Sequence, residues 1–273
     1  MPRNEVFDPP YAGTDTRVYF HVIHGFYRIP MRTLSAVCST AVFFLLVCGP
    51  LSSPVAAQVQ PEVTGNFSVA VPQGAFSDNV GRAGIGGTVM AGLRFSGTPA
   101  VVGLDLGFMN YGIERRTEPF STTIPDVRVN VRTSNDILLS HLVLRLQPDD
   151  GSIRPHVDGL FGFKYLFTST RIEDRGSAGR EPIASSTNFD DFALSFGGGA
   201  GVDIRLAQPS PSADGSVSVR GVYLNLGVRY LFGEEAEYLR RGSIERTNGD
   251  LTFDVRRSRT DMLTFGLGVS LKF

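Results

Sequence analysis

Asp261-Met-Leu-Thr-Phe-Gly-Leu-Gly-Val-Ser-Leu-Lys-Phe273 closes the sequence, and its reading decides the fold. Taken with a period of two, Leu263, Phe265, Leu267, Val269, Leu271 and Phe273 fall on one face, while Thr264, Gly266, Gly268, Ser270 and Lys272 fall on the other. That alternation is a β-strand with one wholly apolar side. Two surroundings can receive such a side. A protein core makes it an ordinary sandwich strand. Lipid makes the whole chain a closed barrel, because an open sheet edge is not tolerated in hydrocarbon.

Seven earlier segments repeat the pattern. Their apolar faces run Phe67 to Val71, Ile85 to Phe95, Val102 to Phe108, Leu138 to Leu146, Val157 to Phe167, Phe192 to Leu206 and Val222 to Phe232. No stretch from Gln58 onward keeps a helical spacing. The connections alternate in length: a loop over 72–81, the tight Ser96-Gly-Thr-Pro99, a long polar region holding Glu118-Pro119 and Ile124-Pro125-Asp126, the sharp Pro148-Asp-Asp-Gly151, a charged stretch from Arg171 to Phe189, a turn over 209–215, and a long loop from Gly233 to Arg257. Eight strands joined in this rhythm predict an all-β, eight-stranded antiparallel up-and-down transmembrane β-barrel, with brief turns on one side of the membrane and larger loops on the other.

Charge decides which face meets lipid. The central apolar faces carry no Asp, Glu, Lys or Arg, and a cation there at the bilayer midplane would cost about 2–4 kcal/mol. The opposite faces carry Arg94, Asp105, Arg145, Asp158, Lys164, Asp203, Arg205, Arg229 and Lys272, with most of the strand glycines. A soluble ligand-carrying barrel needs the reverse arrangement. Eight strands enclose an interior just wide enough for side chains to fill it, so charges inside must be paired. Arg94, Asp105, Arg145, Asp158, Asp203, Arg205 and Lys272 fall near the short-turn end and are expected to interlock into an ion-pair layer closing the barrel toward the periplasm. The alternative is that several simply reach bulk water at the rim.

The first 57 residues read as something other than fold. Met31-Arg32, an apolar run ending near Val47 and the small-residue end Val55-Ala56-Ala57 make residues 31–57 a secretory signal peptide, cleaved before Gln58. The uninterrupted apolar run is too short for the roughly 20 residues of a membrane-spanning helix. Residues 1–30, with Asp8-Pro9-Pro10, suit no signal n-region and read as a leader or a mis-set gene start. Residues 58–273 are then the barrel domain. The only cysteines, Cys38 and Cys48, lie in the signal segment, so the barrel has no disulfide and no cysteine metal ligand. A net charge of −1 gives no reason to expect nucleic acid.

Phe67-Ser-Val-Ala-Val-Pro-Gln-Gly74, Arg154-Pro-His-Val-Asp-Gly-Leu-Phe-Gly-Phe163, Arg229-Tyr-Leu-Phe-Gly233 and the ending Gly268-Val-Ser-Leu-Lys-Phe273 give a chain that resembles the small outer-membrane β-barrel proteins, similar to the barrel domains of OmpA and OmpX. The resemblance implies the outer membrane as location and its lipid and lipopolysaccharide as surroundings. It also implies the barrel-assembly machinery as a partner during biogenesis, with Gly268, Leu271 and Phe273 as the assembly signal. Gly266 stands where that pattern often has a polar residue.

Barrels of this resemblance include enzymes acting on lipid A, so catalysis must be weighed. Ser140 and His141 are adjacent and point to opposite faces, and no serine and histidine are expected to meet as nucleophile and base. His141 and His156, with no carboxylate cluster, give no reason to expect a metal, and no cofactor is expected. Leu251, Phe253 and Val255 share the parity of the terminal strand, which predicts a hairpin extending beyond the membrane whose edge could add a partner's strand. Arg257 and Arg259 are candidate lipopolysaccharide contacts, or solvated rim arginines. The expectation is a non-enzymatic barrel for envelope integrity, or for adhesion to an extracellular protein through its long loops. The alternative is a narrow transport pore, with a lipid A enzyme behind it.

Overall fold

The computed structural model describes residues 59–119, 128–174, 184–209, 219–247 and 250–273; the leader and the signal peptide over 31–57 lie outside them. Every expected strand forms. β1 (Val59–Pro72), β2 (Gly84–Phe95), β3 (Ala100–Pro119), β4 (Arg128–Leu146), β5 (Ile153–Asp174), β6 (Ala184–Ala207), β7 (Gly221–Gly233) and β10 (Met262–Lys272) close into a barrel in the order β1-β10-β7-β6-β5-β4-β3-β2. The closing seam joins β1 to β10 antiparallel, with Phe67 opposite Leu267 and Val69 opposite Phe265. Closure leaves no edge, so backbone groups at membrane depth are satisfied within the sheet.

The faces are those the alternation assigns. Phe67 is 60% exposed, Phe161 61% and Leu142 62%, while Thr264, Ser270 and Lys272 on the other face are buried. Apolar outside and polar inside inverts a water-soluble protein. It is the arrangement of a transmembrane barrel.

The long-loop side departs from expectation in three ways. First, β3 to β6 run on past the apolar band, so Glu118 and Pro119 belong to a strand rather than a loop. A register shift between Asn110 and Gly112 marks a β-bulge, which buries both Tyr111 and Gly112 and turns the residues beyond to the opposite parity. Second, the segment read as a loop over 72–81 contains a short helix, α1 (Gly74–Val80), whose Phe76 is fully buried. Seven residues are too few for periodicity to announce a helix.

Third, β8 (Glu235–Thr247) and β9 (Asp250–Arg259) form their own two-stranded sheet instead of prolonging the last two barrel strands. The chain breaks at Glu234 and again at Thr260-Asp261. The joint is stitched: the Gly233 N–H donates to Asp261 Oδ1 at 2.9 Å, and the buried Lys164 ammonium donates to the carbonyls of Leu231 (3.1 Å) and Thr260 (2.5 Å). The hairpin lies over the barrel mouth. Tyr111 Oη donates to the Leu239 carbonyl at 3.2 Å, and Arg116 to the Ile244 carbonyl at 2.8 Å. Phe76 packs edge-on between Tyr111 and Tyr238, at ring separations of 6.1 and 5.1 Å. Beneath this roof Met90, Met109, Ile137, Leu139, Leu166, Leu231 and Met262 fill the lumen. The expected filling of charged and small residues describes the short-turn half, whereas the half above sets these apolar chains around a few buried polar ones, among them Lys164, Asn135 and Thr168.

Candidate functional site

In that half, each barrel strand contributes one charged side chain to a single network: Glu62 (β1), Arg94 (β2), Asp105 (β3), Arg145 (β4), Asp158 (β5), Asp203 (β6), Arg229 (β7) and Lys272 (β10). Glu62 meets Arg94 at 3.2 Å, Lys272 at 3.6 Å and Arg145 at 4.0 Å. Lys272 meets Asp203 at 2.9 Å. Asp158 takes Arg145 at 2.7 Å and Arg229 at 3.1 Å, and Arg229 reaches Asp105 at 3.2 Å. The four acids and four bases of the strands balance. Arg94 also meets Asp149 of the β4–β5 turn at 3.0 Å while the buried Arg154 stands beside Tyr223, so the opposite charges of the layer match, as burial requires because an uncompensated charge there costs several kcal/mol.

Neutral groups complete the layer. Gln147 accepts from Arg94 and Lys272 and donates to Asp203 at 2.8 Å, while Asn225 donates to the other Asp203 oxygen at 2.7 Å. Tyr223 lies beneath three cations, with Lys272 at 4.9 Å, Arg154 at 5.2 Å and Arg205 at 5.6 Å from its ring centre. Among the described residues Asn66 Oδ1 and His156 Nδ1 have no hydrogen-bond partner, while Asp105 Oδ1 and Arg145 Nη1 have ion-pair contacts, to Arg229 and Glu62, without a well-formed hydrogen bond. All four residues line a cavity of about 20 Å³, the size of one water molecule.

Six of the seven residues grouped from the sequence meet in this network. Arg205 does not: it sits half-buried at the rim, bonded to the Gly151 carbonyl (2.9 Å), Tyr223 Oη (3.3 Å) and Gln208 (3.3 Å), with no carboxylate partner among the described residues. Sequence reading missed Glu62, the residue that ties Arg94, Arg145 and Lys272 together. Pro61 makes the first strand look as though it starts later, whereas β1 pairs with β2 from Val59 onward. Even parity with Ser68 and Asn66 is the signal that could have found it.

The structure also brings together His141 and Ser195, Nε2 to Oγ at 3.0 Å, correcting the expectation that no serine and histidine meet. They lie two strands apart in one row, with Gly162 between them. A Cβ at Gly162 would fall 2.0 Å from the Ser140 carbonyl oxygen, so only glycine permits the close approach there. Both side chains are fully buried, Ser195 Oγ also donates to the Phe232 carbonyl at 2.9 Å, and His141 Nδ1 has no partner. Among the described residues no carboxylate is bonded to His141. Among the described residues no group of three or more His, Cys, Asp or Glu is placed to hold a metal.

Outside the lumen, Arg257 faces Glu235 at 3.2 Å and Arg259 faces Asp261 at 3.6 Å, so each candidate lipopolysaccharide arginine already has a carboxylate beside it. Leu271 and Phe273 turn to the lipid side, and the Phe273 N–H donates to the Pro61 carbonyl at 3.0 Å. Gly268 points inward, where a Cβ would lie 1.9 Å from the Gly65 carbonyl oxygen.

Closed sheet, lipid-facing band and neutralised lumen together define a small transmembrane β-barrel of the outer-membrane class. The chain is similar to several solved structures. Neisserial surface protein A shares 11% identity at a TM-score of 0.34, over 79% of this chain and 97% of that one. Ail, the attachment invasion locus protein of Yersinia pestis, shares 13% at 0.29, over 79% and 98%. A major outer membrane protein from Thermus thermophilus shares 14% at 0.33, over 79% and 99%. No family model matches the chain, and no curated protein matches it in sequence.

Proposed function

We propose that the protein is a non-conducting, non-enzymatic barrel of the outer membrane that supports the envelope and meets extracellular partners through the structure above its long-loop side. The carrying observation is the lumen. One charge from every strand interlocks across the short-turn half, and methionine, leucine and isoleucine occupy the half above. A pore needs a continuous water path, and a cavity of about 20 Å³ holds a single water. The strands β3 to β6, prolonged past the apolar band, and the β8–β9 hairpin offer rigid surface outside the membrane, which is what an adhesive role needs. The barrel-assembly machinery is the expected partner in biogenesis.

Conductance in planar bilayers tests the reading. The expected trace shows no steady current at the nanosiemens level, and a stable open channel would overturn the proposal in favour of a narrow pore. Lipid A mass profiles from cells with and without the protein test the enzyme alternative, with unchanged profiles expected because His141 and Ser195 are sealed inside.

A further inference from the structure

Above the apolar band, β3, β4 and β5 stand side by side on the outer wall of the barrel. The bulge at Tyr111 sets Arg115 opposite Arg132, and the next register sets Arg132 opposite Arg171. Three arginines are thus abreast on one face. Like charges directly opposite destabilise a sheet. None of the three has an ion-pair or hydrogen-bond partner among the described residues, whereas Arg256, Arg257 and Arg259 on the hairpin each meet a carboxylate.

A groove of about 240 Å³ opens beside them, with Arg132 and Arg171 in its lining, the Ser134 and Ser169 hydroxyls beside them, and Phe108 of the lipid-facing band at its membrane end. Asp136 also lines it, but its two oxygens accept from Asn110 (2.6 Å) and Ser134 (2.7 Å) and are already engaged.

We propose that this groove binds the phosphate-bearing saccharide of an outer-leaflet glycolipid of the lipopolysaccharide class. The phosphate lies against Arg115, Arg132 and Arg171, the sugar sits in the groove, and the acyl chains run down past Phe108. Guanidinium groups match phosphate in charge and fork geometry. The groove is lined by residues of the outer face and reaches Phe108 of the lipid-facing band, which points to an occupant from the membrane rather than from solution. Height separates a glycolipid from an ordinary phospholipid. Arg171 is four residues beyond Phe167, about 13 Å along the strand. At a tilt of 35–45° that is about 10 Å of height. A phospholipid headgroup layer is only about 5–8 Å thick, so the arginines stand at the level of a saccharide.

The full barrel, reconstituted in nanodiscs, is incubated with a rough-type lipopolysaccharide carrying a phosphorylated core, with the same glycolipid after enzymatic dephosphorylation, and with phosphatidylglycerol; retention is read by native mass spectrometry. The wild type is expected to retain the phosphorylated glycolipid about ten-fold better than either of the others, and R115Q/R132Q/R171Q to lose that preference, because one or more charge-assisted contacts are removed. R257Q/R259Q should keep it. Equal retention of the dephosphorylated form by the wild type overturns the proposal without any variant, as does undiminished retention by the triple variant. Preference for phosphatidylglycerol would assign the site to phospholipid, and competition by the soluble phosphorylated core oligosaccharide at equal affinity would assign it to free anions; either result rejects the glycolipid.

Discussion

Arg145 and Asp158 face each other across the β4–β5 register and join by two parallel bonds, Nε to Oδ1 at 2.7 Å and Nη2 to Oδ2 at 3.0 Å. Arg145 is 1% exposed. This two-pronged pair is the centre of the layer, because Arg145 leads to Glu62 and Asp158 to Arg229. Removing one member strands a buried charge, whereas replacing both by apolar groups removes the need for compensation.

Arg145→Ala should therefore destabilise the barrel by about 3 kcal/mol, the low end for a broken buried pair since Arg229 still reaches Asp158. The double variant R145M/D158L should recover most of that loss in Asp158's share of the layer while leaving Arg229 with Asp105 alone. Urea unfolding of the protein in phospholipid vesicles, followed by the gel-mobility shift of the folded barrel, measures both. A double variant weaker than R145A would mean that the pair does more than neutralise itself.

The face of each strand was legible because parity depends only on the chain itself: Leu263 to Phe273 outward and Lys272 inward follow from a period of two. Register was not legible, since sliding a strand by two residues preserves every face. That is why Asp105, Arg145 and Asp158 could be placed inside but not joined, and why the His141–Ser195 contact, bridging over Gly162, was invisible. Glu62 was hidden by Pro61, which reads as a strand breaker although it sits near the start of β1. The β8–β9 hairpin was legible as strand but not as a roof. Its bend at Glu234 and Thr260-Asp261 is set by Lys164 and Asp261, through contacts far apart in sequence.

Lys164 is the bolt of that bend. Among the described residues its ammonium bonds to two carbonyls, those of Leu231 and Thr260, and it is fully buried. Lys164→Met keeps the length of the side chain and removes the donors. The expected outcome is a barrel whose heat-dependent gel shift is unchanged but whose hairpin is cut faster by trypsin at Arg240, Arg241 and Arg256. Unchanged cleavage would show that the aromatic contacts alone hold the roof.

Those aromatic contacts make their own prediction. Phe76 fills the space between Tyr111 and Tyr238, while Tyr238 Oη accepts from Asn79 at 2.9 Å and lies 2.7 Å from Ser258 Oγ. Phe76→Ala should cost about 3 kcal/mol, as for other buried aromatic truncations. Tyr238→Phe should cost about 1 kcal/mol, the worth of its hydrogen bonds. Both are read as shifts of the unfolding midpoint in the same vesicle assay, and a Phe76→Ala variant as stable as the wild type would place α1 outside the folded unit.

The terminal strand carries two requirements that can be separated. Gly268 is needed by the fold itself, since any Cβ would strike the Gly65 carbonyl across the β1–β10 seam. Phe273 sits half-buried on the lipid side, where its ring contributes little to closure. Gly268→Ala should therefore fail to refold into detergent or lipid from urea and also fail to reach the outer membrane in cells. Phe273→Ala should refold in vitro with an unchanged gel shift yet accumulate unassembled in cells, if the last aromatic is what the assembly machinery reads. A Phe273→Ala protein that reaches the outer membrane at the wild-type level would remove Phe273 from the assembly signal, and a Gly268→Ala protein that refolds normally would show that the seam can shift to admit a methyl group.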